Sequence, residues 1–186
     1  DEVFAASEFK VFNSVLAADG TVRAINAGQR ELSRADLDEL TEFAKRHGAG
    51  GLVWAFVEEG GSWRSPIAKF LSEDEIAAAT NALGASTGDL LLAVADTKKM
   101  TVASSLGALR ERLARDFGLI EVGLHKLVWV VKFPMLEFNE DQQRWDPLHH
   151  PFTAPDGDLS DPANLGSRAY DIVMDGWEIG GGSIRI

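Results

Sequence analysis

Gly88-Asp89-Leu90-Leu91-Leu92-Ala93-Val94-Ala95 decides how the chain folds. A glycine-aspartate turn opens six consecutive apolar residues, the pattern of a central strand buried on both faces. Downstream, Val102, Leu106, Leu109, Leu113 and Phe117 recur at helical spacing, so an amphipathic helix of about four turns follows the strand. Its outer face carries Arg110, Arg112 and Arg115. Upstream, Ser72-Glu73-Asp74-Glu75 is a capping box, opening a helix with Ile76, Ala79 and Leu83 that stops at Gly84. Ser33 stands three residues before Asp36 in the same way, ahead of Leu37, Leu40, Phe43, Ala44 and a stop at Gly48. The strand 52–57 lies between those helices. Glu8-Phe9-Lys10-Val11-Phe12 alternates polar and apolar and reads as a half-buried strand, paired through Asp19-Gly20 with 22–25 in a hairpin-like start.

After Gly118 the helical periodicity ceases. Leu127 to Phe133 reads as a buried strand ended by Pro134. The pairs 136–138 and 144–145 flank a polar turn and form a hairpin. A long polar loop runs from His149 to about Ser167, and loops of that length in a compact domain are commonly functional. Tyr170–Met174 and Trp177–Ile186 read as two last strands joined at Asp175-Gly176. The expected class is therefore α+β: a βα module, then an antiparallel sheet, with the boundary near residue 120.

The 186 residues are 45% hydrophobic, enough for a core, and contain no spanning-length apolar stretch. Asp1-Glu2-Val3 lacks the basic start of a secretory signal, and the absence of cysteine removes disulfides and thiolate chemistry. Both suggest a cytoplasmic setting. The net charge is −11, with 13 basic and 18 acidic residues in 1–120 and 5 and 11 in 121–186. Neither part is a phosphate-binding surface as a whole.

Four features of the second part could carry chemistry. His149 and His150 open the long loop; they can be metal ligands, contacts to an anionic substrate, or structural. The missing His-x-x-x-His and Glu-x-x-His spacings weaken the metal reading. Glu178 is the one acid in the final apolar strand, either solvated or facing a cation. Gly180-Gly181-Gly182-Ser183 suits a bend or a close approach by a ligand, and equally a flexible tail. Arg185, between two isoleucines, is a surface cation or a planar fork for a carboxylate or phosphate. Seven residues separate Glu178 from Arg185, so a regular strand puts them on opposite faces. A bulge in the glycine triplet would reunite them.

These segments resemble a known family. Val128-Trp129-Val130-Val131-x-Phe133-Pro134-Met135, His149-His150-Pro151-Phe152-Thr153-Ala154-Pro155, and the run from Ala169 through Gly180-Gly181-Gly182-Ser183-Ile184-Arg185 look like bacterial-type aspartyl-tRNA synthetase. The first part is similar to that family's inserted GAD domain, through 8–12, Ser65-Pro66-Ile67-Ala68-Lys69-Phe70-Leu71 and 88–92. The resemblance implies residues 1–7 as a catalytic-domain remnant or linker, 8–120 as the GAD domain, and 121–186 as part of a class II catalytic domain. It implies a ligase that activates L-aspartate with ATP and Mg2+ and passes it to tRNA, acting as a homodimer away from membranes. In that family His149, His150 and Arg185 would bind L-aspartate and Glu178 would serve the ATP and magnesium site. Gly180, Gly181, Gly182 and Ser183 would supply supporting backbone. The family's anticodon-binding domain and its three class II motifs are not found, so the chain reads as an internal segment, inactive alone. Lys132 stands where the family usually has Asp, and Asp175 where it has Asn. The alternative is a non-catalytic GAD module contacting the tRNA acceptor end or a protein, with Arg110, Arg112 and Arg115 as its basic stripe.

Overall fold

Ser33 and Ser72 each open a helix as their spacing predicts. In both, the serine hydroxyl accepts the amide three residues on, and the carboxylate there, Asp36 or Glu75, accepts the serine amide. The computed structural model describes residues 1–186, which divide into two compact units, Asp1–Ile120 and Glu121–Ile186.

The first unit is built on β1 (Thr21–Gln29), β2 (Val53–Val57), β3 (Trp63–Arg64) and β4 (Asp89–Asp96), in the order β1-β4-β2-β3. All neighbours are antiparallel. As expected, β4 is central and its apolar run is buried on both faces. Leu90, Leu92 and Val94 pack with α2 (Arg34–Arg46) and α4 (Lys99–Asp116) through Leu37, Leu40, Ala44, Val102, Leu106, Leu109 and Leu113. Leu91 points the other way, into a cluster with Phe12, Val22, Ala55 and Ala79, where α1 (Lys10–Ala17) and α3 (Glu73–Ala82) cover the sheet. Helices on both faces explain the continuous hydrophobicity, and each buried leucine contributes about 1.5–3 kcal/mol.

Residues 8–12 differ from the strand expected for them: they lead into α1. Five residues alternate too briefly to separate the two periods, and the longer spacing Phe9, Phe12, Leu16 is helical and faces the core. Asp19-Gly20 therefore turns a helix, rather than a strand, into β1. Residues 1–7 pack into the same unit. Phe4 is buried beside Phe12 with ring centroids 4.8 Å apart, and Ser7 is buried and accepts the Phe9 amide. Asp89 is buried as well, accepting from Asn26 Nδ2 at 3.0 Å and from the Ser86 amide at 2.9 Å. That pairing gives the Gly88-Asp89 turn a structural role in seating β1 on β4.

The second unit holds β5 (Leu127–Val131), β10 (Ala169–Met174) and β11 (Trp177–Ser183) in a sheet ordered β11-β10-β5. Between them in sequence come a hairpin of β6 (Leu136–Asn139) and β7 (Arg144–Pro147), as expected, and the short pair β8 (Pro155–Asp156) and β9 (Gly166–Ser167). The long loop is thus shorter than expected, closing on Leu165, which is buried and accepts the Met135 amide. The β5 run, expected to be buried, is exposed at all five positions. It is an edge strand of a three-stranded sheet, and no layer of this unit covers it. The last strand also stops earlier than expected, at Ser183.

Candidate active site

The residues singled out near the C-terminus are arranged by one irregularity in β11. Val173 lies opposite Glu178 while Ile172 lies opposite Gly180, so Ile179 is an extra, unpaired residue. The bulge sits one residue before the glycine triplet rather than within it. Asp171 and Val173 share a face of β10 by the two-residue period, so their partners Gly181 and Glu178 share it too. The same alternation continues to Ser183 and Arg185. The shift separates Glu178 from Gly180, its face-mate in a regular strand.

The glycines have distinct reasons to lack a side chain. A Cβ at Gly181 would lie 2.3 Å from Asp171 Oδ1 and 3.2 Å from Glu178 Oε1. Two carboxylates therefore converge over this backbone position. A Cβ at Gly182, on the opposite face, would meet Tyr170 Oη at 2.9 Å and its ring carbons at 3.1 and 3.3 Å. That ring is held edge-on to Trp129 with centroids 5.9 Å apart. Gly180 would make only an ordinary contact, 3.6 Å from Ile172 Cγ2.

Arg185 is exposed and stands opposite Thr153, which is 2% exposed. The Ala154 amide donates to the Ile184 carbonyl at 2.8 Å and the Ile186 amide to the Phe152 carbonyl at 3.0 Å. The Ile184 amide in turn donates to Arg168 O, and Thr153 Oγ1 donates to Ser183 Oγ at 3.2 Å. The main chain bearing Arg185 is thereby fixed on two sides.

The two histidines are turned to different partners. His149 Nε2 donates to the Pro134 carbonyl at 3.1 Å, and its ring meets Phe133 edge-on. His150 Nδ1 accepts the Phe152 amide at 3.1 Å. Neither ring shares a hydrogen bond with Glu178 or Arg185, and no group of three or more acidic or histidine ligands is set to hold a metal ion.

Sequence reasoning missed two residues here, Asp171 and Thr153, and marked Asp175 only as a departure from the family. Asp171 is an acid in the middle of an otherwise apolar strand, the same signal that drew attention to Glu178. Thr153 is the buried residue of the His-His-Pro-Phe-Thr run. Asp175, at a positive φ of 53° in the β10–β11 turn, accepts from His125 Nδ1 at 2.6 Å and from the Lys126 amide at 2.8 Å. The His125 hydrogen bond first, then the Lys126 amide, lowers the Asp175 carboxyl below its ordinary range. Lys132 also has a positive φ, 59°, just beyond β5.

The expected basic stripe is largely neutralised. Arg112 pairs with Glu39 at 2.7 Å and Asp116 at 2.8 Å, and Arg115 pairs with Glu111 at 3.0 Å.

Comparison with known proteins adds two findings. The chain is 50% identical over 186 residues to the aspartate–tRNA(Asp/Asn) ligase of Desulfatibacillum aliphaticivorans, covering 97% of the chain and 31% of that protein. It is likewise 50% identical over 184 residues to the same-named protein of Geotalea uraniireducens (96% and 31%), and 49% over 191 residues to that of Halothermothrix orenii (100% and 32%). The chain thus spans about a third of the length of these relatives. The sequence model of the GAD domain matches residues 12–106, which lie within the first unit and account for half of the sequence. The chain belongs to the GAD domain family.

Proposed function

We propose that the chain is a segment of an aspartate–tRNA ligase, an aminoacyl-tRNA synthetase that activates L-aspartate with ATP and transfers it to tRNA. The observation that carries this reading is the Ile179 bulge, which sets Glu178, Gly181 and Ser183 on one face of β11, with Arg185 two residues beyond the strand on its bridge to Thr153. Identity near 50% along the whole chain to proteins of that name supports it.

On this reading Arg185 grips the substrate carboxylate. Its guanidinium is a planar fork that fits a carboxylate through two parallel hydrogen bonds, which the point charge of lysine does not reproduce. His149 is held against Phe133 and Pro134, at the start of the loop whose segment 152–154 bonds to 184–186. Glu178 and Asp171 are hard oxygen donors converging over Gly181, and they fit a magnesium ion that also keeps waters and phosphate oxygens. Such an ion would neutralise phosphate charge as the aspartate carboxylate attacks the α-phosphorus and pyrophosphate leaves. The missing side chain at Gly181 leaves the room that the Asp171 and Glu178 carboxylates occupy. Catalysis by this face is positioning and charge stabilisation.

The activity belongs to the full-length ligase, of which this chain would supply one part of the site. ATP–pyrophosphate exchange by that ligase tests the reading. Arg185→Ala should lower kcat/KM for aspartate by about three orders of magnitude, with Arg185→Lys recovering little of it. Unchanged aspartate dependence in Arg185→Ala would sink the assignment. The tRNA-binding reading of the first unit is disfavoured by the ion pairs of Arg112 and Arg115.

A further inference from the structure

His150-Pro151-Phe152-Thr153 is a tight turn in which the Thr153 amide donates to the His150 carbonyl at 2.9 Å. Proline at the second position pre-sets φ for such a turn. The Phe152 amide donates to His150 Nδ1 at 3.1 Å, so the imidazole does what an asparagine side chain does when it mimics a backbone turn. A nitrogen that accepts carries no proton, which fixes the neutral ring as its Nε2–H form.

The turn delivers segment 152–154 to the main chain around Arg185. Phe152 O accepts the Ile186 amide, Thr153 stands opposite Arg185, and the Ala154 amide donates to Ile184 O. Thr153 is buried and donates to Ser183, so this clasp has little room to shift. We propose that His150 is a positioning residue for Arg185. Its Nδ1 holds the turn that lays 152–154 along 184–186, and the imidazole works through that backbone rather than by touching substrate. The neighbouring His149 has a different task, since its Nε2 is committed to Pro134 O. The inference rests on the reading of Arg185 as the group that binds the aspartate carboxylate.

Asparagine and glutamine separate the two uses of the ring. Asparagine places an acceptor oxygen where Nδ1 stands, whereas glutamine places its amide where Nε2 stands. In ATP–pyrophosphate exchange by the full-length ligase, His150→Asn should keep the KM for aspartate within about twofold. His150→Gln should raise it about tenfold with little change in kcat, the effect of one ordinary hydrogen bond lost. Amide exchange gives a second readout: the Phe152 and Ile186 amides should exchange about tenfold faster in His150→Gln and unchanged in His150→Asn. Rescue by glutamine and not asparagine would overturn the proposal, as would equal KM values or equal exchange in the two variants. Failure of the underlying reading looks different: Arg185→Ala would then leave the aspartate KM unaltered, while the exchange comparison still decides whether His150 holds the clasp.

Discussion

Replacing Gly181 by alanine should separate the stability of the β10–β11 pair from its chemistry. The new methyl would stand 2.3 Å from Asp171 Oδ1, so the carboxylate tip must withdraw by roughly 1 Å. Asp171 can do this by rotating, at a cost of about 0.5–1.5 kcal/mol for leaving its preferred rotamer. Alanine in a strand recovers about 0.5–1 kcal/mol relative to glycine, so the net change in stability is close to zero. Glu178 Oε1, 3.2 Å from the same methyl, is crowded too, and the convergence of the two carboxylates is lost. On the proposed function, a misplacement of about 1 Å in this site should lower kcat/KM for ATP by up to about 100-fold. Gly182→Ala is the opposite case. Its methyl meets the Tyr170 hydroxyl and ring at 2.9–3.3 Å, so the whole ring must shift against Trp129, an overpacking cost of about 1–3 kcal/mol. Thermal unfolding followed by near-ultraviolet circular dichroism should show Gly181→Ala near the unaltered chain and Gly182→Ala several degrees lower, at about 4–8 °C per kcal/mol for a unit of this size. If the proposed function holds, Gly181→Ala in the full-length ligase should need about tenfold more Mg2+ for half-maximal exchange. A large drop in melting temperature for Gly181→Ala, or an unchanged Mg2+ requirement, would refute the reasoning.

Gly20→Ala should destabilise the first unit by about 2–3 kcal/mol, because its methyl would lie 2.7 Å from the carbonyls of both Val15 and Asp96, and backbone cannot yield as a side chain can. A chemical denaturation midpoint equal to that of the unaltered chain would contradict this. Removing either capping hydroxyl, by Ser33→Ala or Ser72→Ala, should cost about 1 kcal/mol, measured in the same way, since each serves a reciprocal pair of bonds. Asp175 gives a pH signature. Its folded carboxyl is depressed, so its contribution is present above the ordinary carboxylate range and lost as pH falls through the folded value. Protection of the Lys126 amide, relative to its intrinsic exchange rate, should fall in strongly acidic solution, and Asp175→Ala should remove that loss.

The first unit was largely legible because its signals are local. Capping serines, glycine stops and helical spacing of leucines each decide an element within a dozen residues. The exception, 8–12, failed because five residues fit two periods, and the decision lay in Leu16 and the buried Phe12. In the second unit the strands were legible and their surroundings were not. An apolar run states that a strand can be covered; it does not state that β5 is an uncovered edge. Glu178 and Arg185 could be matched to one face only by supposing a bulge, whose place depends on cross-strand pairing that no single-strand pattern encodes. Asp171 was overlooked for the same reason: its meaning comes from Gly181 across the sheet. His150 shows the limit for side chains, since nothing in His-His-Pro-Phe-Thr tells which ring nitrogen is spent on the turn.

The uncovered sheet bears on how this chain should be handled. Trp129 is 61% exposed and Trp177 78%, with Leu127 and Val131 on the same face as Trp129. A naphthalene-sulfonate dye that brightens on apolar surfaces should fluoresce with the correctly folded chain. Brightening with such a dye is ordinarily taken as the mark of a loosened, molten state. For this molecule it would report native architecture, and quality control should rest on the circular dichroism of the Trp129–Tyr170 pair, which vanishes when packing is lost.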